Sequence, residues 1–176
     1  MTDIIKTKSL IIKSYSDSDQ EAVVELLTNE KIKETFMIPD FHMKSEVISM
    51  FKKLQEFSHS EEHYERGIYL GQQLIGFLND VEIIEDRIEL GYVIHPNYQN
   101  RGFATEALKA SIEYLFQKGF SEIVTGAFVN NTASICVMKK CGMTRISKEE
   151  DICYRNETRH CCYFAIRRKS NSSTGL

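Results

Sequence analysis

Apolar positions along this chain switch repeatedly between a two-residue and a three-to-four-residue period, and that order predicts strands interleaved with helices around one sheet. Leu10, Ile11 and Ile12, within Ser9–Ser14, read as a first strand. Ala22, Val23, Leu26 and Leu27 share a helical face that Asp17 or Ser18 can cap. A shorter helical piece spans about Lys31–Phe36 before Pro39, and Ser45 opens a third helix carrying Val47, Ile48, Phe51 and Leu54. Ile68–Leu70 and Leu74–Leu78 flank Gly71-Gln72-Gln73, which signals a hairpin, and Val81–Ile84 continues its second strand. Glu85-Asp86-Arg87 then turns into a strand reaching Ile94, where His95 and Pro96 break it.

The clearest helix follows. Ala104, Ala107, Leu108, Ser111, Ile112, Leu115 and Phe116 form one stripe, and Gly119 supplies a left-handed end. Ile123–Phe128 is another strand, and Asn130 or Asn131 caps a short helix ending at Gly142. Thr144–Ser147 and Cys161–Ile166 read as two late strands around a polar Lys148–Arg159 segment. The domain is expected to span residues 1–169, followed by a disordered Ser/Asn/Gly-rich tail over 170–176. The whole is an α+β arrangement without internal repeats.

Composition narrows the class. At 176 residues the chain has the length of one domain, and a net charge of −3 argues against a nucleic-acid footprint. No segment approaches a membrane span, and Met1-Thr2-Asp3 opens no signal peptide, so a cytoplasmic protein is expected. The five cysteines are odd in number and late in the chain, which fits neither a disulfide framework nor a metal knuckle. His160 beside Cys161-Cys162 lacks metal-ligand spacing, so these thiols read as small buried residues of a strand and no metal is expected.

Chemistry concentrates at Gln99-Asn100-Arg101-Gly102-Phe103-Ala104, between the strand ending at Ile94 and the best-patterned helix. A loop entering a helix N-terminus presents free N–H groups together with the positive end of the helix dipole, which makes an anion site. Gly102 allows close backbone approach, Ala104 keeps the first turn slim, and Arg101 can add a charge-assisted bond. Neither a G-x-x-x-x-G-K-[ST] loop nor a G-x-G-x-x-G fingerprint occurs. What remains, Gln/Arg-x-x-Gly-x-Gly/Ala, resembles the acetyl-CoA loop of the GNAT acetyltransferases. Ile88-Glu89-Leu90-Gly91-Tyr92-Val93-Ile94-His95-Pro96, Thr105-Glu106-Ala107-Leu108, Asn131-Thr132-Ala133-Ser134 and Lys140-Cys141-Gly142-Met143 extend the likeness. Together they resemble the subgroup that includes the ribosomal-protein N-terminal acetyltransferases. The likeness covers about Ser9–Arg168 and is most specific over Glu89–Met143.

The resemblance implies a GNAT fold, a single, mostly antiparallel mixed sheet flanked by helices. Its two central strands, Glu89–His95 and Glu122–Phe128 here, would splay around the pantetheine arm. It implies acetyl-CoA as cosubstrate, with Gln99, Asn100, Arg101, Gly102, Phe103, Ala104 and Thr105 at the pyrophosphate. Backbone groups of Val93, Ile94 and His95 would meet the pantetheine and the oxyanion, and Asn131 and Ser134 would position the thioester. Many relatives place a Tyr before the helix-ending glycine as acid for the departing thiolate. Met138 stands there instead, so Ser134, a water or Tyr92 must take that role; Met143 for the usual Phe is a packing change.

Transfer to an amine also needs a base, because the amine is mostly cationic at neutral pH. Glu89 leads, since a carboxylate inside an apolar strand is costly to bury without a role or partner, and it matches a glutamate that is catalytic in several relatives. Strand alternation puts Glu89, Gly91 and Val93 on one face and Leu90, Tyr92 and Ile94 on the other. A structural ion pair with Arg87 or Arg101 is the alternative. His95 could be a base, although a strand-end histidine before proline is more often a surface or packing residue. Asn131 can serve as a helix cap as well as a ligand to pantetheine. Glu149-Glu150-Asp151 could steer a cationic acceptor or simply be a solvated segment. The expected protein is a monomeric or homodimeric N-acetyltransferase acting on a small-molecule or peptide amine, with Glu89 and Ser134 as catalytic residues. Its rival is a non-catalytic acetyl-CoA sensor or scaffold of the same fold.

Overall fold

The computed structural model describes residues 1–169, so the expectation for the tail lies outside the described residues. The strands are β1 (Ile5–Lys6), β2 (Leu10–Lys13), β3 (Arg66–Leu70), β4 (Gln73–Ile84), β5 (Arg87–Ile94), β6 (Glu122–Phe128), β7 (Thr144–Tyr154) and β8 (Glu157–Arg167). They form one sheet in the order β1-β2-β3-β4-β5-β6-β8-β7. Only β5 and β6 pair in parallel; every other neighbour is antiparallel. That single parallel pair needs a crossover, and the long helix over Phe103–Gln117 supplies it.

Helices α1 (Gln20–Thr28), α2 (Glu30–Lys33) and α3 (Lys44–Ser58) cover one face, burying Val23, Leu26, Ile32, Val47 and Phe51 against Tyr69, Phe77 and Val93. Helices α4 (Phe103–Gln117) and α5 (Thr132–Lys140) lie on the other, where Leu108, Ile112, Leu115 and Met138 meet Ile88, Leu90 and Ile94. The period-two alternation read along β5 therefore divides its side chains between the two cores. Gly76 permits the close fit of β4 to β5, since a Cβ there would lie 2.1 Å from the Val93 carbonyl oxygen. Gly119, with φ of 107°, ends α4 in the left-handed conformation expected of it.

Three local expectations change. Neither Asp17 nor Ser18 caps α1: Ser16 caps a short 3-10 turn, Asp17–Asp19, that leads into the helix, and the Ser16 N–H donates to Asp19 Oδ2 at 2.7 Å. The two-residue β1 was not foreseen, being too short to show a period. The Lys148–Arg159 segment is not a polar loop but the outer part of a β7–β8 hairpin. Its turn is Arg155-Asn156, with φ of 52° and 61°, the paired positive values of a type I′ turn. Alternation is faint there because β7 is an edge strand, largely exposed, and its polar residues suit solvent rather than a core.

Candidate active site

β5 and β6 pair only from Arg87↔Glu122 to Leu90↔Thr125. Beyond that point β5 stays with β4 as far as Ile94, and β6 stays with β8 as far as Phe128. The two strands therefore part, and the edge of Gly91–Ile94 that faced β6 has no strand partner. A cleft of about 700 Å³ opens at the fork, bordered by Gly91, Tyr92, Val93, Ile94, Gly126 and Ala127. Backbone polar groups at such an edge need a partner from elsewhere, which a ligand amide can provide.

The anion loop forms one wall. Gln99, Asn100, Gly102, Phe103, Ala104 and Thr105 all line the cleft. Asn100 and Gly102 take positive φ, 60° and 84°, which turns the chain sharply into α4. No side chain caps that N-terminus, so its orphan N–H groups stay available to an anion. Gln99 holds the loop to the strand, its Nε2 donating to the Ile94 carbonyl at 2.9 Å. Arg101 does not line the cleft; its guanidinium lies over the rings of Phe103, at 4.9 Å, and Tyr98, at 5.9 Å.

His95 is a correction. Its N–H already donates to the Ile75 carbonyl at 2.8 Å, which removes it as a donor to a ligand. Its Nδ1 accepts from the Asn97 N–H at 3.1 Å, and its Nε2 lies 2.9 Å from Glu25 Oε2. With one ring nitrogen accepting and the other facing a carboxylate, the ring fastens the strand end to α1 and is not free to act as a base.

On the opposite wall α5 begins at Asn131, whose Oδ1 accepts from the Ser134 N–H at 3.1 Å. Asn131 thus caps the helix while still lining the cleft. Ser134 Oγ and the Tyr92 hydroxyl lie 2.6 Å apart, and the phenol also donates to the Ser134 carbonyl at 3.1 Å. Burial pushes the Tyr92 phenol well above its ordinary value, so it stays protonated at any physiological pH. Met138 is fully buried, its sulfur accepting from Thr125 Oγ1 at 2.8 Å, so the position that holds Tyr in relatives belongs here to the core.

Glu89 sits below the fork, 7% exposed, and does not line the cleft. Lys148 Nζ lies 3.2 Å from its Oε2 and Arg87 lies 3.8 Å away, whereas Arg101 makes no contact with it. Lys148 also approaches Glu150, at 3.5 Å, and the face of Tyr163, at 4.0 Å from the ring centroid. Tyr163 donates to Glu150 at 2.6 Å, which holds that carboxyl below its usual range. Desolvation offsets most of what such half-buried pairs gain, so the cluster defines positions more than it adds stability.

Sequence reasoning missed the closure of this side. Lys31, Glu34, Thr35 and Phe36 also border the cleft, and the Phe36 ring fills the space that a Gly91 side chain would need. The hairpin tip clasps this segment. Tyr154 OH accepts from the Ile38 N–H at 3.3 Å and donates to the Ile38 carbonyl at 3.1 Å, while Arg155 reaches Glu30 at 2.9 Å and Asp40 at 3.3 Å. Contacts across more than a hundred residues leave no local signal. Glu149 and Asp151, read as possible steering charges, lie 3.3 Å and 2.7 Å from the His160 ring, and Glu149 also pairs with Arg145 at 2.6 Å.

A forked parallel pair with an uncapped helix N-terminus at its mouth makes a cleft suited to an extended, anionic ligand. Residues 9–144 match the model of the acetyltransferase (GNAT) domain, and the chain belongs to that family of acetyltransferases, whose activity depends on acetyl-CoA. It is 31% identical over 145 residues to the uncharacterized N-acetyltransferase YnaD of Bacillus subtilis (strain 168), covering 80% of this chain and 82% of that protein. The solved acetyltransferase (GNAT family) from Bacillus anthracis superposes with a TM-score of 0.79 at 26% identity, covering 94% and 98% of the two chains. The Salmonella typhimurium enzyme that modifies the N-terminal serine of ribosomal protein L7/L12 shares the fold, with a TM-score of 0.81 at 15% identity over 95% and 100% of the chains. No helix among the described residues is long and apolar enough to cross a membrane.

Proposed function

We propose that this chain acetylates a primary amine by direct attack on the thioester of acetyl-CoA, and that it works in the cytoplasm as one domain over residues 1–169. The observation that carries the reading is the convergence on one cleft of the forked strands, the uncapped α4 N-terminus and the Tyr92–Ser134 hydroxyl pair, with Glu89 just beneath the fork. The pyrophosphate lies against the N–H groups of the Gln99–Thr105 loop, and Arg101 swings to it from the rim. The pantetheine amides meet Asn131 and the free edge of β5 at Ile94, whose N–H also stabilises the oxyanion, while Val93, two residues before His95, turns its own N–H toward β4. Glu89 takes the proton of the acceptor ammonium, directly or through one water. Ser134, backed by the buried Tyr92 phenol, donates to the departing thiolate in the role that Met138 cannot fill. Five free cysteines accord with a reducing compartment.

The acceptor is either a protein N-terminal α-amine, the substrate class of the Salmonella fold neighbour, or a small amine such as a polyamine or an aminoglycoside. The test is release of free thiol from acetyl-CoA against short peptides, polyamines and aminoglycosides. Release that vanishes when a peptide's α-amine is blocked selects the protein acceptor; release with polyamines or aminoglycosides selects the small one. Tight acetyl-CoA binding with no transfer across the panel would favour a non-catalytic sensor.

A further inference from the structure

Lys148 places a primary amine beside the proposed base, although it does not itself line the cleft. Its Nζ is 3.2 Å from Glu89 Oε2, within reach of direct proton transfer to the proposed base. The surroundings hold an ammonium on three sides, with Glu89, Glu150 and the Tyr163 face. The lysine is not locked in place by the sheet. The β7–β8 ladder jumps from Arg145↔Phe164 to Glu149↔Cys162, leaving Ile146, Ser147 and Lys148 opposite Tyr163 alone. Residues in such a bulge can shift without breaking ladder hydrogen bonds. Glu89 and Gly91 lie on the same face of β5, two residues or about 6.6 Å apart, and Gly91 borders the fork. The flexible four-carbon stem of a lysine covers that distance.

We infer that Lys148 is a self-acetylation site, its ε-amine occupying the acceptor position when no external amine is bound. This rests on the reading of Glu89 as base. Glu89 removes a proton from the Lys148 ammonium, and the free amine attacks the thioester carbonyl carbon. A C–N bond forms and the C–S bond breaks, its electron pair leaving on sulfur. The thiolate takes up a proton, so the products are N-acetyl-Lys148, free CoA and one released proton. Acetylation removes the lysine charge and frees Glu89 from that ion pair.

Lys31 and Lys140 are internal controls, since both border the cleft and neither has a carboxylate within ion-pair distance among the described residues. The full chain is incubated with acetyl-CoA alone, and modification is mapped and timed by peptide mass spectrometry. Lys148 should be acetylated at least about tenfold faster than Lys31 or Lys140, at a rate independent of protein concentration. Glu89→Gln should slow Lys148 by about tenfold or more without slowing the two controls. Lys148→Arg keeps a cation beside Glu89 and should lose the fast modification, with circular dichroism confirming its fold. Equal rates at the three lysines, or fast Lys148 modification that survives Glu89→Gln, would overturn the inference. If thiol release with external amines still depended on Glu89 in that case, the proposed function would stand while self-acetylation fell.

Discussion

The two flanks of the fork are built in opposite ways. On the α4–α5 side, the groups facing the cleft are backbone N–H groups and short side chains from two continuous stretches, 99–105 and 131–134, each at the start of a helix. On the other side Phe36, after α2, borders the cleft, and Glu89 on β5, Lys148 on β7 and Tyr163 on β8 form a cluster outside its lining, with Tyr154 and Arg155 clasping the segment after α2. In the proposed function the first side would recognise a fixed ligand part mainly through backbone geometry. The second is made of exchangeable side chains on a hairpin and a loop. A family can therefore keep one cosubstrate while varying its acceptor, because each task rests on a different kind of chemical group.

The contrast predicts separable effects. Glu89→Gln should show the largest, lowering turnover at least tenfold, toward the roughly hundredfold that general bases commonly contribute, while calorimetry finds acetyl-CoA affinity nearly unchanged. Unaltered turnover would remove Glu89 from the role. Gly102→Val attacks the other side. A β-branched residue at φ of 84° is strained, so the loop must move its N–H groups, and acetyl-CoA should bind about tenfold more weakly while the acceptor KM holds. Equal weakening for both substrates would show that the flanks are not independent. Ser134→Ala should lower kcat by only about three- to tenfold, because a thiolate leaves tolerably without an acid; a loss confined to acetyl-CoA binding would make Ser134 a ligand and not a donor.

The smallest effect lies away from the fork and concerns stability. Glu65 is buried, accepts from Tyr15 OH at 2.6 Å, and is pushed up to about 8 by burial. The folded state then holds a proton that the unfolded chain, with a carboxyl near 4.5, has lost. Its stabilising contribution is complete below the unfolded value and is lost as pH rises through the folded one, with a slope of at most ~1.4 kcal/mol per pH unit. Melting temperature should fall between pH 5 and 8 in the native chain, and Glu65→Gln should flatten that decline. An unchanged slope in the variant would assign the pH dependence to other groups.

Legibility followed the same division. The stripe from Ala104 to Phe116, the left-handed Gly119, the Asn131 cap and the alternation along β5 could all be read, because each depends on neighbours within a few residues. The partners of His95 could not be read, because its N–H and ring find Ile75 and Glu25, which are near it only in the folded chain. Arg87 was foreseen as one possible partner of Glu89, but Lys148 was not, since 59 residues separate it from the carboxylate it meets.

By itself the sequence determined the order of strands and helices from β2 onward, the small-residue turn into the α4 N-terminus and, through its motifs, the family. These are properties of local backbone preference and hydrophobic period. Tertiary structure alone decided where β5 and β6 part, which hydroxyl pairs with Tyr92, what closes over Phe36 and which amine rests against Glu89. Those depend on side chains brought together by sheet register and hairpin packing, and no local pattern in the chain encodes such distances.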